Sequence, residues 1–482
     1  MPDPNSTPAS PARVHAHAGP WSLWGLGVGA VIVGEFGGWN HGLEAGGFGG
    51  LFVATLIVTV LYLCLAASLA ELGTAMPFAG GAYAYVRAAL GPWAGYLAGL
   101  AQTIAYALTS AVAIVALGAV LGHRLHDVAG IDLPRPLWWL GLYGLIVVLN
   151  ACGSTLFFRV AVALACLALA VLAVFWVMAA GAFDITLVLD PAPRPAGTPW
   201  LPNGTIGVAW AIPFAIWFYL AIEQVPLAAE ETRDPGRDLP RGLLWGLGTL
   251  VVATLLTLFL NAGVPPGAKI VARSDEPLLH AFSELIGAGM LTDWLPLLIG
   301  VGALSTAHST LYAAGRSIFA LGRAGYLPVR LGRTRDGVPT AALLAAAACG
   351  WAAALLVDLS ARALPVADVL IDMTALAAVA SYALQFLSFI VLRRRHPSMA
   401  RPFVSPLGAT GAMTGLLIAL FCLTLLFANR GYWPALLVGI ALLGLGALWF
   451  HWAGRPDARA PEEAFAERLA HEPPAGTSER LP

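Results

Sequence analysis

Twelve mostly apolar stretches fill this 482-residue chain, near residues 22–47, 49–73, 92–121, 137–152, 157–182, 205–227, 242–262, 294–321, 340–357, 367–392, 409–427 and 432–452. About 20 such residues cross a bilayer as an α-helix. In hydrocarbon every backbone N–H and C=O needs an internal partner, so runs of this kind fold as spanning helices. The fourth stretch is the shortest. The first lacks a small-residue cleavage motif and its flank is barely charged, so it reads as a span and not as a cleavable leader. Hydrophobic residues make up 59% of the chain and charged residues 11%, against about 25% charged in a soluble domain. That balance excludes a disordered chain, a disulfide scaffold and an ordinary water-soluble enzyme. A net charge of −1 gives no basic field for nucleic acid. Cys64, Cys152, Cys166, Cys349 and Cys422 lie in apolar runs with no CxxC pair and read as small core hydrophobes.

With both termini cytoplasmic, 19 of the 26 lysines and arginines fall in cytoplasmic segments and 7 outside. Basic residues concentrate on the inner side. The expected protein is multi-pass in the plasma membrane, or the inner membrane if bacterial. Residues 1–20 and 454–482 are rich in Pro, Ala and charge and read as flexible cytoplasmic tails. The longest loops, near 183–204 and 263–293, are too short for a soluble domain. There is no GxxxxGK[ST] phosphate loop, so no ATP engine is visible, and no HExxH or metal-spaced His/Cys cluster. Neither an enzyme nor a cofactor is expected. Transport of a small molecule across the bilayer, driven by a proton or sodium gradient, is the class that is left.

Transporters of this class place their sites where helices break at corresponding positions of two repeats. The first span reads Gly34-Glu35-Phe36-Gly37-Gly38-Trp39-Asn40-His41-Gly42. Glycine costs about 1 kcal/mol per residue in a helix. A packing surface of small residues would use glycine too, but an unwound segment lining a cavity also accounts for a carboxylate at that depth. Five spans later, Pro213 and Pro226 bracket a segment that holds Glu223, and proline frees backbone carbonyls. Charges inside membranes are costly and usually functional. The candidates are Glu35, Glu71, Glu223, His308 and Asp372. Glu71, near a span end, is expected to pair with an arginine. For His308 both a hydrogen-bonded core histidine and a proton relay are open.

Three motifs in order resemble the amino acid–polyamine–organocation permeases. They are Ala70-Glu71-Leu72-Gly73 with Pro77-Phe78-Ala79-Gly80-Gly81-Ala82-Tyr83-Ala84-Tyr85 and Leu90-Gly91-Pro92, then Glu230-Glu231-Thr232-Arg233-Asp234-Pro235 through Arg241, then Arg316 through Gly322-Arg323-Ala324-Gly325-Tyr326-Leu327-Pro328. The resemblance implies an all-α, leucine-transporter-type fold of 12 transmembrane helices. Two inverted five-helix repeats, 21–182 and 183–392, would be followed by two extra helices in 393–453. Within the family, Gly34 to Asn40 with Gly42-Leu43, and Trp217-Phe218-Tyr219-Leu220-Ala221-Ile222-Glu223-Gln224, resemble the ethanolamine permeases.

By this resemblance Phe36, Gly37 and Gly38 line the substrate site. Trp217 stands at a gating aromatic, Leu220 and Ala221 at an unwound turn, and Glu223 at a glutamate linked to proton coupling. Amino-acid permeases usually carry Gly-Ser-Gly at the first break, whose bare N–H groups hold the substrate carboxylate. Here the stretch is Gly38-Trp39-Asn40, with Glu35 one turn earlier. A carboxylate there repels an anion and attracts an ammonium. At 4 Å and an effective dielectric of about 20 that pair is worth roughly 4 kcal/mol. The expected substrate is therefore a small cationic amine, with ethanolamine the best single match. Phe218 and Trp217 would add cation–π contact. Gln102, Tyr106, Thr306, Thr310 and Thr374 are further polar candidates, each equally readable as satisfied within its own helix. A lysine that replaces sodium in span five of some relatives is absent, since the sole lysine is Lys269. Glu223 and His308 stay as proton candidates, and Ser305, Thr306 and Ser309 as oxygen ligands for sodium. An amino acid or polyamine permease, and a sensor that binds without transporting, are the alternatives.

Overall fold

A computed structural model describes residues 17–189, 197–287, 289–360, 366–454 and 456–471. Helices carry nearly all of it. They are α1 (Pro20–Val31), α2 (Val33–Phe36), α3 (His41–Ala75), α4 (Ala82–Leu90), α5 (Pro92–Ala129), α6 (Arg135–Ala151), α7 (Ser154–Gly181), α8 (Gly204–Ala215) and α9 (Pro235–Ala262). There follow α10 (Ala268–Val271), α11 (Pro277–Ile286), α12 (Met290–Arg323), α13 (Thr340–Ser360), α14 (Val366–Arg395), α15 (Gly408–Ala428), α16 (Trp433–Ala453) and α17 (Pro461–His471). Among the described residues the only β pairings are two isolated bridges, Ala18 with Thr232 and Arg335 with Val338.

Nine helical stretches among the described residues are long and apolar enough to cross a membrane. Of the other three apolar stretches, the first is broken into α1 and α2. The second of them, α6, has 17 residues. In the third, the apolar run in α13 covers Thr340–Leu356. Proline at the first turn starts α5, α6, α9, α11 and α16, where its missing N–H has no helical partner to lose. The chain is thus a multi-pass membrane protein. Helix α1 lies in the middle, packed by α7, α9 and α12, while α3 lies along α8 and α5 along α12.

Glu71 is a buried anchor. Its carboxylate accepts from Arg393 at 2.6 and 2.9 Å and from the Ser405 N–H at 2.8 Å, and forms an ion pair with Arg401, whose Nε lies 3.0 Å away. This is the arginine pairing expected for it, made twice, and it ties α3 to α14 and to the turn after it.

Two expectations need correction. The C-terminal tail is not wholly flexible, because Pro461–His471 is a helix whose Glu462, Glu463, Ala466 and Leu469 are buried. Composition masked an amphipathic turn that finds basic partners on the bundle. Residues 1–16 and 472–482 lie outside the described residues. The cysteines are also split. Cys64 and Cys422 are buried, whereas Cys152, Cys166 and Cys349 are exposed on the bundle's periphery.

Candidate functional site

Both candidate breaks are interrupted helices. After Val31 the chain turns, makes the single turn of α2, and leaves it through extended Gly37 and left-handed Gly38 (φ 91°). Asn40 fixes this shape. Its Oδ1 accepts the Gly38 N–H at 3.1 Å, and its Nδ2 donates to the Val271 and Ser274 carbonyls at 3.0 and 2.8 Å. Trp39 is buried and stacks on Phe218, with ring centres 5.6 Å apart. The second break follows α8, passes through short tight turns and places Ala221 at φ 86°. A left-handed non-glycine residue costs about 1–2 kcal/mol. The Glu223 carboxylate accepts the Ala221 N–H at 3.0 Å, which helps to hold it there. Gln224 donates to the Leu26 carbonyl at 3.1 Å and so ties the second break to α1.

A cavity of about 410 Å³ lies between the breaks. Phe36, Gly37, Gly38 and Trp217 line it, joined by Asp275 and Glu276 from the turn before α11. Val112 and Leu117 of α5, Phe214 of α8 and Ile299 of α12 complete its apolar walls. Among the described residues no lysine or arginine lines it; His41 is the one basic type present. Glu276 stands outside the spans. Burial and the neighbouring Asp275 carboxylate push its pKa above the usual carboxylate value, against a smaller opposite pull from His123.

Four of the sequence-derived site residues therefore meet at this cavity and nine do not. Glu35 is fully buried behind the wall and points at α9, where its Oε1 accepts from Thr254 Oγ1 at 2.8 Å. It makes no direct face of the cavity, because a helical turn sends the side chain after Gly34 away from the one after Glu35. Phe218 is occupied by Trp39. Leu220 and Ala221 are buried in the second break. Gln102 Nε2 donates to the Tyr106 hydroxyl at 2.7 Å, so these two satisfy each other. Thr310 and Thr374 donate to the carbonyls of Thr306 and Leu370, four residues back in their own helices. Thr306 does reach the first break, donating to the Gly29 carbonyl at 3.2 Å and accepting from the Val33 N–H at 3.3 Å.

Of the coupling candidates, Glu223 is buried beside a row of hydroxyls. Tyr62 is 3.1 Å from Tyr382, and Tyr219 is 2.8 Å from Thr59. His308 has both ring nitrogens engaged, one 3.2 Å from Asn150 Nδ2 and one 3.3 Å from the Phe157 carbonyl. That is the geometry of a satisfied core histidine. The hydroxyls of Ser305 and Ser309 are buried, face Gly29 of α1 and make no hydrogen bond. Asp275 and Glu276 escaped the sequence reading. The signal was there, an acidic pair directly before the proline-started helix α11, but a polar loop is unremarkable by composition alone.

The comparisons with known proteins fall on the same spans. A family model described as Amino acid permease matches residues 23–450. The chain belongs to the amino acid permease family. It is similar to an uncharacterised transporter of Rhizobium meliloti, 27% identical over 477 residues, which is 94% of this chain and 95% of that protein. It is also similar to a polyamine transporter of Oryza sativa, 25% identical over 399 residues, 82% of this chain and 69% of that one. The branched-chain amino acid permease BcaP of Bacillus subtilis is 27% identical over 440 residues, 86% and 88% of the two chains. The family makes this permease a membrane transporter of amino acid-like small molecules.

Proposed function

We propose that the permease imports a small cationic amine, with ethanolamine the best match, by alternating access at the two breaks. The observation that carries this reading is the charge of the cavity: its acidic lining residues are Asp275 and Glu276, and among the described residues no lysine or arginine lines it. Asn40 adds to it. The Gly38 N–H, which could hold a substrate carboxylate, is already taken by the Asn40 side chain. Glu35 acts through the wall as a source of negative potential rather than as a direct partner, and Trp217 and Phe36 offer aromatic faces to an ammonium. The twelve spans would form two inverted five-helix units, 21–182 and 183–392, plus a final pair, with cytoplasmic termini. Protons are the proposed coupling ion, taken up at Glu223.

Sodium is a second reading, favoured by the unpartnered Ser305 and Ser309 hydroxyls against α1. Oxygen ligands of this kind suit a hard cation. Because the rice relative is a polyamine transporter and the Bacillus one a branched-chain amino acid permease, those substrates are the competitors to test.

The test is uptake of labelled ethanolamine into proteoliposomes under an imposed pH gradient, with and without sodium. Accumulation that leucine and spermidine fail to compete is expected. Competition by either compound moves the substrate to that class, and binding without flux identifies a sensor. Sodium dependence lost in Ser305→Ala would replace protons by sodium.

Two variants sharpen the reading. Glu35→Gln should lose most amine uptake while inserting normally; unchanged uptake would remove Glu35 from any electrostatic role. Asp275→Asn with Glu276→Gln should raise KM several-fold, more at low salt, since exposed charges act over about 10 Å at 0.1 M salt. Glu276 also sets a pH direction. As pH falls through its raised range, the cavity mouth loses a negative charge. KM for a cation should then rise already above ordinary carboxylate pH, and Glu276→Gln should flatten that rise.

A further inference from the structure

Helix α17 is short, yet two consecutive carboxylates in its first turn are buried, Glu462 at 2% and Glu463 at 0% exposure. Buried carboxylates survive only when paired and hydrogen-bonded. Glu463 accepts the hydroxyls of Tyr83 and Tyr326 at 2.6 and 2.8 Å and the Arg87 Nε at 2.8 Å. Glu462 pairs with Arg323, at the end of α12. The same guanidinium binds Glu230 at 2.6 and 3.1 Å, and Glu230 in turn accepts the Ala79 N–H at 2.9 Å. Arg316 pairs with Glu231 beside it. Phe465 packs on Phe78 with ring centres 5.6 Å apart, and the Asp457 N–H donates to the Ala324 carbonyl at 2.9 Å.

These contacts join three parts of one end of the bundle. They are the connection after α3, the end of α12, and the stretch Ile222–Glu231 that leaves the second break. The cavity touches α12 at Gly300 and Ala303, and Arg323 lies roughly 30 Å further along that helix at about 1.5 Å per residue. Helix α17 therefore sits across the end opposite the open cavity, and Glu462 shares with Glu230 the arginine that holds the end of the second break shut.

We propose that α17 is a latch on this closed face, and that it must leave Arg87 and Arg323 before the site between the breaks opens towards it. The latch rests on the alternating-access reading and not on the identity of the substrate. Neutralising it biases the protein towards opening here. In some proteins buried ion pairs specify one arrangement over another, and that is the role the latch gives to these.

The test reads opening without substrate. In full-length Leu227→Cys, the cysteine lies between the break and Glu230, at a position that is buried in this structure. A membrane-impermeant maleimide is applied from the α17 face, and labelling is measured on the peptide carrying residue 227. Adding Glu462→Gln and Glu463→Gln should speed labelling at least ten-fold and raise the transport rate. Unchanged labelling overturns the latch. Faster labelling with lower transport and a lowered unfolding temperature makes α17 a structural staple and also overturns it. The second arm keeps α17 in place: a Phe78→Cys/Phe465→Cys pair, bridged by a short bifunctional thiol reagent, with each single cysteine as control. Bridging should stop transport, and cleaving the bridge should restore it. Transport at the unbridged rate means that α17 stays seated through the cycle, and the latch is wrong. If labelling accelerates while neither wild type nor variants move ethanolamine, the latch stands and the substrate reading fails.

Discussion

Replacing Gly34 with alanine is expected to abolish uptake. Gly34 is where the two breaks cross. A methyl group built on it runs into the Trp217 carbonyl oxygen and comes within 3.0 Å of the Trp217 carbonyl carbon. Both are backbone atoms of the second break, so no side-chain rotation relieves the clash. Overpacking of this kind costs about 1–3 kcal/mol or more, and here it falls on the segment that positions Phe36, Gly37 and Trp217 around the cavity. The measurement is uptake in proteoliposomes beside a thermal unfolding scan. Gly141→Ala is the control, because nothing lies within 4 Å of a methyl group at that position. Wild-type uptake in Gly34→Ala would show that the crossing is loose and that the site is not built on it.

Glu71→Ala should be the most destabilising exchange of a single charge. The carboxylate is 1% exposed and is the shared partner of Arg393 and Arg401. Removing one member of such a network leaves its partners without a counter-charge, at a cost of about 3–5 kcal/mol. Helix α14 and the turn that follows it, held through the Ser405 N–H, should loosen first. Hydrogen exchange should therefore rise in residues 393–405 ahead of the rest of the chain, with a lower unfolding temperature. Glu71→Gln, which keeps an acceptor, should lose less. Equal stability of Glu71→Ala and wild type would mean that water reaches the arginines and replaces the carboxylate.

The latch and these two variants read different parts of one bundle. Gly34 concerns the crossing of the breaks, Glu71 the attachment of α14, and α17 the closed end. Their failures can be told apart, since only Gly34→Ala should empty the cavity of function while leaving labelling at the α17 face unchanged.

Much of the architecture was legible in the chain because bilayer solvation acts locally. Twenty apolar residues must cross as a helix wherever they stand, so span positions could be read one at a time. The breaks were legible for the same reason: Gly37, Gly38, Pro213 and Pro226 act on their own backbone. The carboxylate of Glu71 could be matched with arginine because a span end offers few other partners.

Other features depend on residues far away in the chain. Glu35 was expected at the substrate, but Thr254, 219 positions later, receives it on the far side of the wall. Phe218 looked available to an ammonium until Trp39 stacked on it. Asp275 and Glu276 gained meaning only when the turn before α11 folded over the first break, where Asn40 holds the carbonyls of Val271 and Ser274. A charged, proline-rich tail became part of the bundle because Arg87, Arg323, Tyr83 and Tyr326 converge on Glu462 and Glu463. Local backbone chemistry and apolar length thus determined where this chain forms long apolar helices and where two of them break. Tertiary structure decided which side chains face the cavity, because a side chain's direction is set by whatever packs against it, and those partners lie hundreds of residues away.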